Sequence, residues 1–392
     1  MSPLTGREVV LVEAARTPIG RGHPADGWLR DVHAVDLLAA CCTAVLERAG
    51  IEGDAVDAVL CGGAQPFGEQ AANVARNGWL RAGLPVTTPA TTVDCGCSSA
   101  QQAVGLATAL VASGAHDVVV AAGVEHMSAV GLFAGVELTE PLGTPWPPQL
   151  RERHAVITQG EAAERIAVRW GISRADQDEL ALRSHRLAQR ATDEGRFTRE
   201  VVPVQGAGEV RVHDQGIRAD TSLEALAALP GAFSPDGTIT AGNASQISDG
   251  AAAVLLMERG HAQRLGLRAR AVIADVTAAA VDPGTMLTGP IPATEMLLQR
   301  NGLTIDVVDR FEVNEAFASV LAAWIAELGP DVERVNACGG AIALGHPLGS
   351  TGARLITTLL HELERADLEL GVVAMCAFGG MGTGTLVRRI ET

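Results

Sequence analysis

Leu46-Glu47-Arg48-Ala49-Gly50-Ile51, with Asp54, Val56 and Asp57 behind it and the apolar pair Val59-Leu60 after, has a counterpart far downstream. There Leu298-Gln299-Arg300-Asn301-Gly302-Leu303 is followed at the same offsets by Asp306, Val308 and Asp309, and then by Phe311 and Val313. Each stretch reads as a helix stopped by a glycine, a short turn and a buried strand, because glycine accepts the left-handed backbone that closes a helix. A second pair lies inside the same frame. Thr92-Val93-Asp94-Cys95-Gly96-Cys97 leads into the Ala-rich stretch 98–113, and Val335-Asn336-Ala337-Cys338-Gly339-Gly340 leads into a Gly-rich turn and a helix over 350–364. Each returns to an apolar strand, Val118-Val119-Val120 in one case and Val372-Val373-Ala374 in the other. Two copies of one α/β unit follow. Strands alternating with helices predict a mainly parallel sheet with helices on both faces.

Between the copies, residues 124–245 are rich in Gly, Pro and Arg and read as an insertion that covers a site. Its clearest element is a helix from Ser173, where Asp176 completes a Ser-x-x-Asp cap, Asp178 and Glu179 sit at the start, and Arg186 and Arg190 near the end. Residues 246–257 return to an apolar strand that rejoins the first sheet. The expected division is therefore 1–123 with 246–268, an inserted domain 124–245, and 269–392.

A chain of 392 residues with 47% hydrophobic and 19% charged residues exceeds one ordinary core and is too apolar for disorder. No run approaches the roughly 20 apolar residues of a membrane helix, and Met1 to Arg7 shows no signal pattern, so a cytoplasmic protein is expected. Seven cysteines at irregular spacing do not form a secreted disulfide framework. A net charge of −16 argues against a nucleic-acid surface. The charge is uneven, however: residues 151–199 hold ten Arg against eight acids, the rest of the chain twenty against thirty-eight. An anion site is better sought in that segment. All thirty basic residues are Arg; Lys does not occur.

Cys97 stands where a strand meets a helix, a position whose free N–H groups and dipole favour a thiolate; a small buried cysteine is the other reading. Cys95-Gly96-Cys97 has no second half with zinc-like spacing, so no metal site is expected. His346, held in Gly345-His346-Pro347-Leu348-Gly349 by glycines and a following proline, is either a turn residue or a base for a thiol. Cys376 ends a strand of the second copy before Gly379-Gly380. Asn314, in Asn314-Glu315-Ala316-Phe317, is either a helix cap or a polar group at a strand end, where open α/β sheets collect ligand groups.

Together these strings resemble the thiolase family over nearly the whole chain. They are Glu13–Pro18 (Glu-Ala-Ala-Arg-Thr-Pro), Val93–Ala103 around Cys97, Ala241–Ser245 (Ala-Gly-Asn-Ala-Ser), Asn314–Phe317, Gly339–Pro347 with His346, and Cys376–Gly380. The resemblance implies two duplicated αβα units in a five-layered αβαβα fold, an inserted loop domain that binds coenzyme A, and a homodimer or homotetramer. It implies an acetyl-CoA C-acyltransferase that cleaves 3-ketoacyl-CoA through an acyl-cysteine, with coenzyme A as substrate and no permanent cofactor. In that scheme Cys97 is acylated, His346 activates it and Cys376 moves protons at the substrate α-carbon. One oxyanion site is formed by His346 with a water held by Asn314, and another by the backbone N–H groups of Cys97 and Phe378. The same resemblance points to Ser245 beside the pantetheine arm and Arg218 near the nucleotide, while Arg183 and Arg186 are phosphate candidates on charge alone.

The family pattern is broken at two places: Cys95-Gly96 replaces larger polar residues before the nucleophile, and Phe378 replaces a glycine, where a positive φ would be strained. A ring there would narrow the acyl pocket. Three other readings share the motifs. A condensing ketosynthase needs a second His where Cys376 stands. An acetoacetyl-CoA thiolase working in the synthetic direction fits less well than a degradative enzyme at Asp94, Gln101-Gln102 and Thr285–Pro290. A silent acyl-CoA-binding relative would have shed one of Cys97, His346, Asn314 or Cys376, and all four are present.

Overall fold

The computed structural model describes residues 7–132, 134 and 143–391. In the first copy, β1 (Val9–Arg16), β2 (Gly20–Arg21), β3 (Ala58–Gly62), β4 (Ala90–Val93) and β5 (Val118–His126) are followed by a small hairpin, β6 (Val204–Gly206) and β7 (Glu209–Arg211), and by the returning strand β8 (Ser248–Glu258). The second copy carries β9 (Ala271–Ala280), β10 (Arg310–Val313), β11 (Leu370–Ala377) and β12 (Met381–Arg389).

The main sheet runs β10-β11-β12-β9-β1-β8-β5-β3-β4, with β2 added beside β8. Read outward from the β1–β9 seam, the halves have one order: β1-β8-β5-β3-β4 on one side and β9-β12-β11-β10 on the other. The parallel bridge Phe311–Val335 stands where β3 pairs with β4 in the first half. The seam is antiparallel and only two residue pairs long, Val10–Val272 and Leu11–Ala271. The expected mainly parallel sheet is corrected to a mixed one. Parallel pairing is confined to β3 with β4 and β5, and β10 with β11, while β1, β8, β9 and β12 pair antiparallel. The physical reason is connectivity: β11 and β12 are joined by a tight glycine turn, which permits only antiparallel neighbours.

Repeated residues perform repeated tasks. Gly50 (φ 73°) and Gly302 (φ 63°) close the helices Ala34–Ala49 and Pro290–Asn301 in the left-handed region. Asp57 accepts the N–H groups of Asp117 and Val118 at 2.7 and 2.9 Å, and Asp309 accepts those of Glu369 and Leu370 at 3.0 and 2.8 Å. Each carboxylate thus fixes the start of the neighbouring parallel strand.

Five layers result. The helices Ala34–Ala49 and Val74–Arg81 cover one face of the first half through Leu37, Leu38 and Trp79. Pro290–Asn301 and Ala318–Leu328 cover the outer face of the second through Leu297 and Trp324. Between the halves lie Ser99–Ser113 and Thr351–Arg365, which share a core of Val104, Val111, Leu355, Ile356 and Leu359 with strands of both. The two central helices touch closely enough that a Cβ on Gly352 would lie 2.4 Å from the Gln101 nitrogen. Buried Gln101 is satisfied by Val373 O and Thr385 and Thr383 hydroxyls of β11 and β12, which ties the first copy's helix to the second copy's strands.

In the insertion, the helix Arg174–Asp193 starts with the expected box, Ser173 and Asp176 capping each other. Ser184 on its inner face donates to Glu315 at 2.6 Å, and Glu315 also accepts from Asn336 and from the Ile342 N–H. The insertion is thereby fastened to the second half beside the strand end that carries Asn314.

Candidate active site

Cys97 occupies the turn between β4 and the helix Ser99–Ser113, and Gly96 makes that turn with φ 54°. Ser99 locks it by accepting from the Cys95 N–H (2.9 Å) and donating to Gly96 O (2.5 Å). Ser98 donates to Cys376 O at 3.2 Å, so the two cysteine-bearing turns are bonded to each other across the halves. Cys97 is 8% exposed. Burial, with the Glu125 carboxyl nearby, pushes its thiol up to about 12, opposed by the N–H groups of Cys97 itself and of Phe378. Cys97 therefore rests as a thiol, with two backbone donors on its side of the cavity. Cys95 is half-buried and lies outside the cavity that Cys97 lines, and all seven cysteines are unpaired.

His346 follows the short helix Ala341–Leu344, and Gly345 (φ 112°) turns the chain there. A side chain on Gly345 would strike the Ser248 hydroxyl at 2.3 Å, so glycine is needed for approach as well as for conformation. The Thr351 hydroxyl donates to Pro347 O at 2.8 Å and so receives its 2.7 Å bond from His346 Nδ1–H. That puts the ring proton on Nδ1 and leaves Nε2 an acceptor, to which Asn314 Nδ2 donates at 3.3 Å. Burial, with Arg354 nearby, depresses His346 to about 3, so the imidazole is neutral. Of the two readings of Asn314 the structure selects the polar one. Its amide faces His346, and the helix Ala318–Leu328 begins at Phe317 with no side-chain cap.

Cys376 lies on β11 one residue before its end, 1% exposed, its thiol pushed up by burial and by Cys97. Phe378 is absent from the positive-φ residues; the left-handed steps fall on Gly379 (85°) and Gly380 (89°). The break in the family pattern therefore strains nothing and keeps the N–H. The ring turns to Trp146, centroids 6.0 Å apart, and packs against the cluster that holds Cys376, Leu287 and Ala316.

Cys97, His346 and Cys376 line one cavity of about 240 Å³. Thr158, Gly160, Phe233 and Ser245 of the insertion form one side of it. Gly160 is required there, since a Cβ would sit 2.2 Å from the Phe233 ring. Ser245 is thus placed at the cavity. Arg218 and Arg186 line a second cavity of about 330 Å³ with Arg190 and His185. Gln246 connects the two regions: it lines the first cavity and its amide donates to Gly216 O, two residues before Arg218. Arg183 is not brought to either. Its guanidinium donates to Val335 O (3.0 Å) and Val332 O (2.6 Å), so helix-surface charge alone misplaced it. Among the described residues no group of three or more His, Cys, Asp or Glu is arranged to hold a metal.

Sequence reasoning missed Thr351, which sets the histidine tautomer, and Glu125. Glu125 accepts from Ala64 N–H (2.9 Å), Gln70 (2.7 Å) and Gly349 N–H (2.7 Å), pinning the His346 loop to the first half. Thr351 is five residues past His346, a spacing that a helix starting there could have suggested. Glu125 carries no local signal, because its partners come from two distant segments, 64–70 and the loop at Gly349.

Residues 9–260 match the family model described as thiolase, N-terminal domain, and residues 267–389 that described as thiolase, C-terminal domain. The chain is 42% identical to the steroid 3-ketoacyl-CoA thiolase FadA6 of Mycobacterium tuberculosis, covering 99% of this chain and 97% of that protein. It is 41% identical to the beta-ketoadipyl-CoA thiolase of Pseudomonas aeruginosa, covering 98% and 100%. The crystal structure of the Bacillus anthracis acetyl-CoA acetyltransferase superposes with a TM-score of 0.88 at 35% identity over 98% of this chain and 99% of that one.

Proposed function

The chain belongs to the thiolase family, and on that premise we propose that it is an acyltransferase that cleaves 3-ketoacyl-CoA by thiolysis, transferring the shortened acyl group through Cys97. The observation that supports these roles is that a thiol from the first half meets a neutral imidazole and a second thiol from the other half in one cavity.

As the Cys97 sulfur attacks the 3-keto carbon, its proton passes to His346 Nε2. Because the thiol lies near 12 and the imidazole near 3, that transfer accompanies attack and does not precede it. The C2–C3 bond then breaks, acetyl-CoA departs as an enolate, and Cys376 gives it the sulfhydryl proton. The Cys376 thiolate takes the proton of an incoming coenzyme A, whose sulfur lifts the acyl group from Cys97, and His346 returns the proton to the leaving thiolate. Negative charge on substrate oxygens is met by the N–H groups of Cys97 and Phe378 on one side and by His346 with Asn314 on the other. Run backwards, the same groups join two acyl-CoA molecules.

We place the coenzyme A arm along Ser245 and its nucleotide toward Arg218 and Arg186, with 124–245 as the coenzyme A-binding insertion. Arg183, committed to carbonyls, is withdrawn from that set. A homodimer or homotetramer in the cytoplasm is the assembly we favour: β4 leaves an open sheet edge, Val86 beside it is 73% exposed, and no helix among the described residues is long and apolar enough to cross a membrane. The test is thiolysis of acetoacetyl-CoA beside longer 3-ketoacyl-CoA esters with free coenzyme A, followed by loss of the magnesium-enolate absorbance. Turnover is expected. Binding without turnover of any ester would make this a silent acyl-CoA-binding relative.

A further inference from the structure

The relatives leave the acyl group open, since near-equal identity joins this chain to one protein named for a steroid ester and another for a ketoadipyl ester. The cavity is more selective. An acyl group carried on Cys97 must lie against what surrounds that sulfur, and this is an apolar cup of Met127 and Leu348, with Ala64 and Leu132 packed against it. Of the seventeen described residues lining the cavity, only Cys97, His346 and Cys376 can ionise, and none is Arg. Lys does not occur in the chain, and the sequence 133–142 that follows Leu132 contains Glu137 and Glu140 but no basic residue.

Among the described residues, the carboxyl groups behind the cup, Glu125 and Asp249, have the wrong sign for an anion. Glu125 accepts from the backbone N–H of Ala64, a cup residue, and from that of Gly349, next to Leu348. With Gln70 it has three donors and no acceptor, an arrangement that favours the ionised form against the burial that raises the group to about 7. The helix Gln159–Trp170, which begins at the cavity wall, offers no anion seat either. Its first turn already holds a carboxylate of its own, Glu161, bonded to Thr158 N–H at 2.8 Å in a reciprocal box, and an entering carboxylate would meet that like charge. A carboxylate entering this space would lose its water, find no cation and face Glu125.

We propose that the acyl chain accepted here is uncharged and apolar, and that 3-ketoacyl-CoA esters ending in a carboxylate are rejected. The proposal rests on the thiolase reading above and names the substrate class of the same cavity. Leu132 is the position from which that choice can be altered.

The experiment pairs two esters of equal chain length, 3-oxohexanoyl-CoA and 3-oxoadipyl-CoA, which differ in a terminal methyl or carboxylate, and compares kcat/KM for thiolysis by the full-length protein. The expected ratio favours the methyl-ended ester by roughly 100-fold or more, since an unpaired buried charge is among the strongest discriminants a site can apply. Ratios within about threefold overturn the proposal while leaving the thiolase reading intact. Turnover of neither ester overturns both. In Leu132→Arg, shown by circular dichroism to be folded, a cation enters the cup and the ratio falls at least roughly tenfold through gain of 3-oxoadipyl-CoA turnover. An unchanged ratio in that variant contradicts the assignment of the cup as the acyl site.

Discussion

Thr351 shows how one hydroxyl decides the tautomer of the His346 ring: by donating to Pro347 O it can only accept from His346 Nδ1, and Nε2 is left as the acceptor facing Asn314. Thr351→Val removes both hydrogen bonds of that hydroxyl, the one to His346 and the one to Pro347 O. A loss of about 1 to 1.5 kcal/mol in orientation corresponds to a fall in kcat near tenfold with KM little changed, checked by steady-state kinetics. Glu125 sets the pH response. Burial pushes its carboxyl up from 4.5 to about 7 although three donors favour the anion. Below about pH 7 the protonated group loses its fit to the N–H groups of Ala64 and Gly349, so kcat should rise with pH through that value. Glu125→Gln should be slow at every pH, because its NH2 meets a donor whichever way it turns. The stability contribution has the opposite slope. The folded state holds this proton between about pH 4.5 and 7 where the unfolded chain has released it, so the contribution to folding is lost as pH rises across that window. Urea melts of wild type and Glu125→Gln at pH 5 and 8 would show whether the difference has this sign. Cys97, His346 and Cys376 were legible in the sequence because glycine turns and strand ends mark them. Thr351 and Glu125 were not, since each acts through contacts that only the folded chain creates.

At the scale of elements, the repeat was readable because helix-stopping glycines and Asp57/Asp309 serve local needs that recur at the same offsets. The pairing direction of β1, β8, β9 and β12 was not, because an apolar run looks alike in parallel and antiparallel neighbours. The helix Thr351–Arg365 was also misleading. Arg354, His361 and Glu362 give it a polar stripe, yet each is buried, against Glu312 and Arg310 of the same half and Glu200 of the insertion. Close approach of elements also depends on glycines whose purpose no local pattern reveals. A Cβ on Gly123 of β5 would lie 2.2 Å from Gly349 O and 2.7 Å from Ala100 Cβ. Gly123→Ala is therefore expected to destabilise the protein by about 2 kcal/mol or more and to displace the His346 loop. Chemical denaturation reads the first effect and thiolysis rate the second. A stable, fully active Gly123→Ala protein would contradict the packing described.

Taken as a whole, the molecule places its reaction where two copies of one unit meet. Cys97 comes from the first copy, and His346, Asn314 and Cys376 from the second, so neither half contains a complete site. That division explains why the motifs lie so far apart in the chain, and why bonds such as Ser98 to Cys376 O and Glu125 to Gly349 N–H run between the copies. The chain's polarity does not show this, because a net charge of −16 and the basic excess of residues 151–199 describe the surface and not the cavity. The insertion's arginines were legible as anion candidates, but only the fold separates Arg186 and Arg218, which share a cavity, from Arg183, which holds backbone carbonyls. The central claim is covalent transfer through Cys97 across this junction. Its most direct test is peptide mass spectrometry of protein mixed with a 3-ketoacyl-CoA in the absence of free coenzyme A. The account predicts an acyl adduct on Cys97, preserved in Cys95→Ser and lost in Cys97→Ser together with thiolysis, by roughly 10⁴-fold or more. An adduct on Cys95, or one that survives Cys97→Ser, would contradict it.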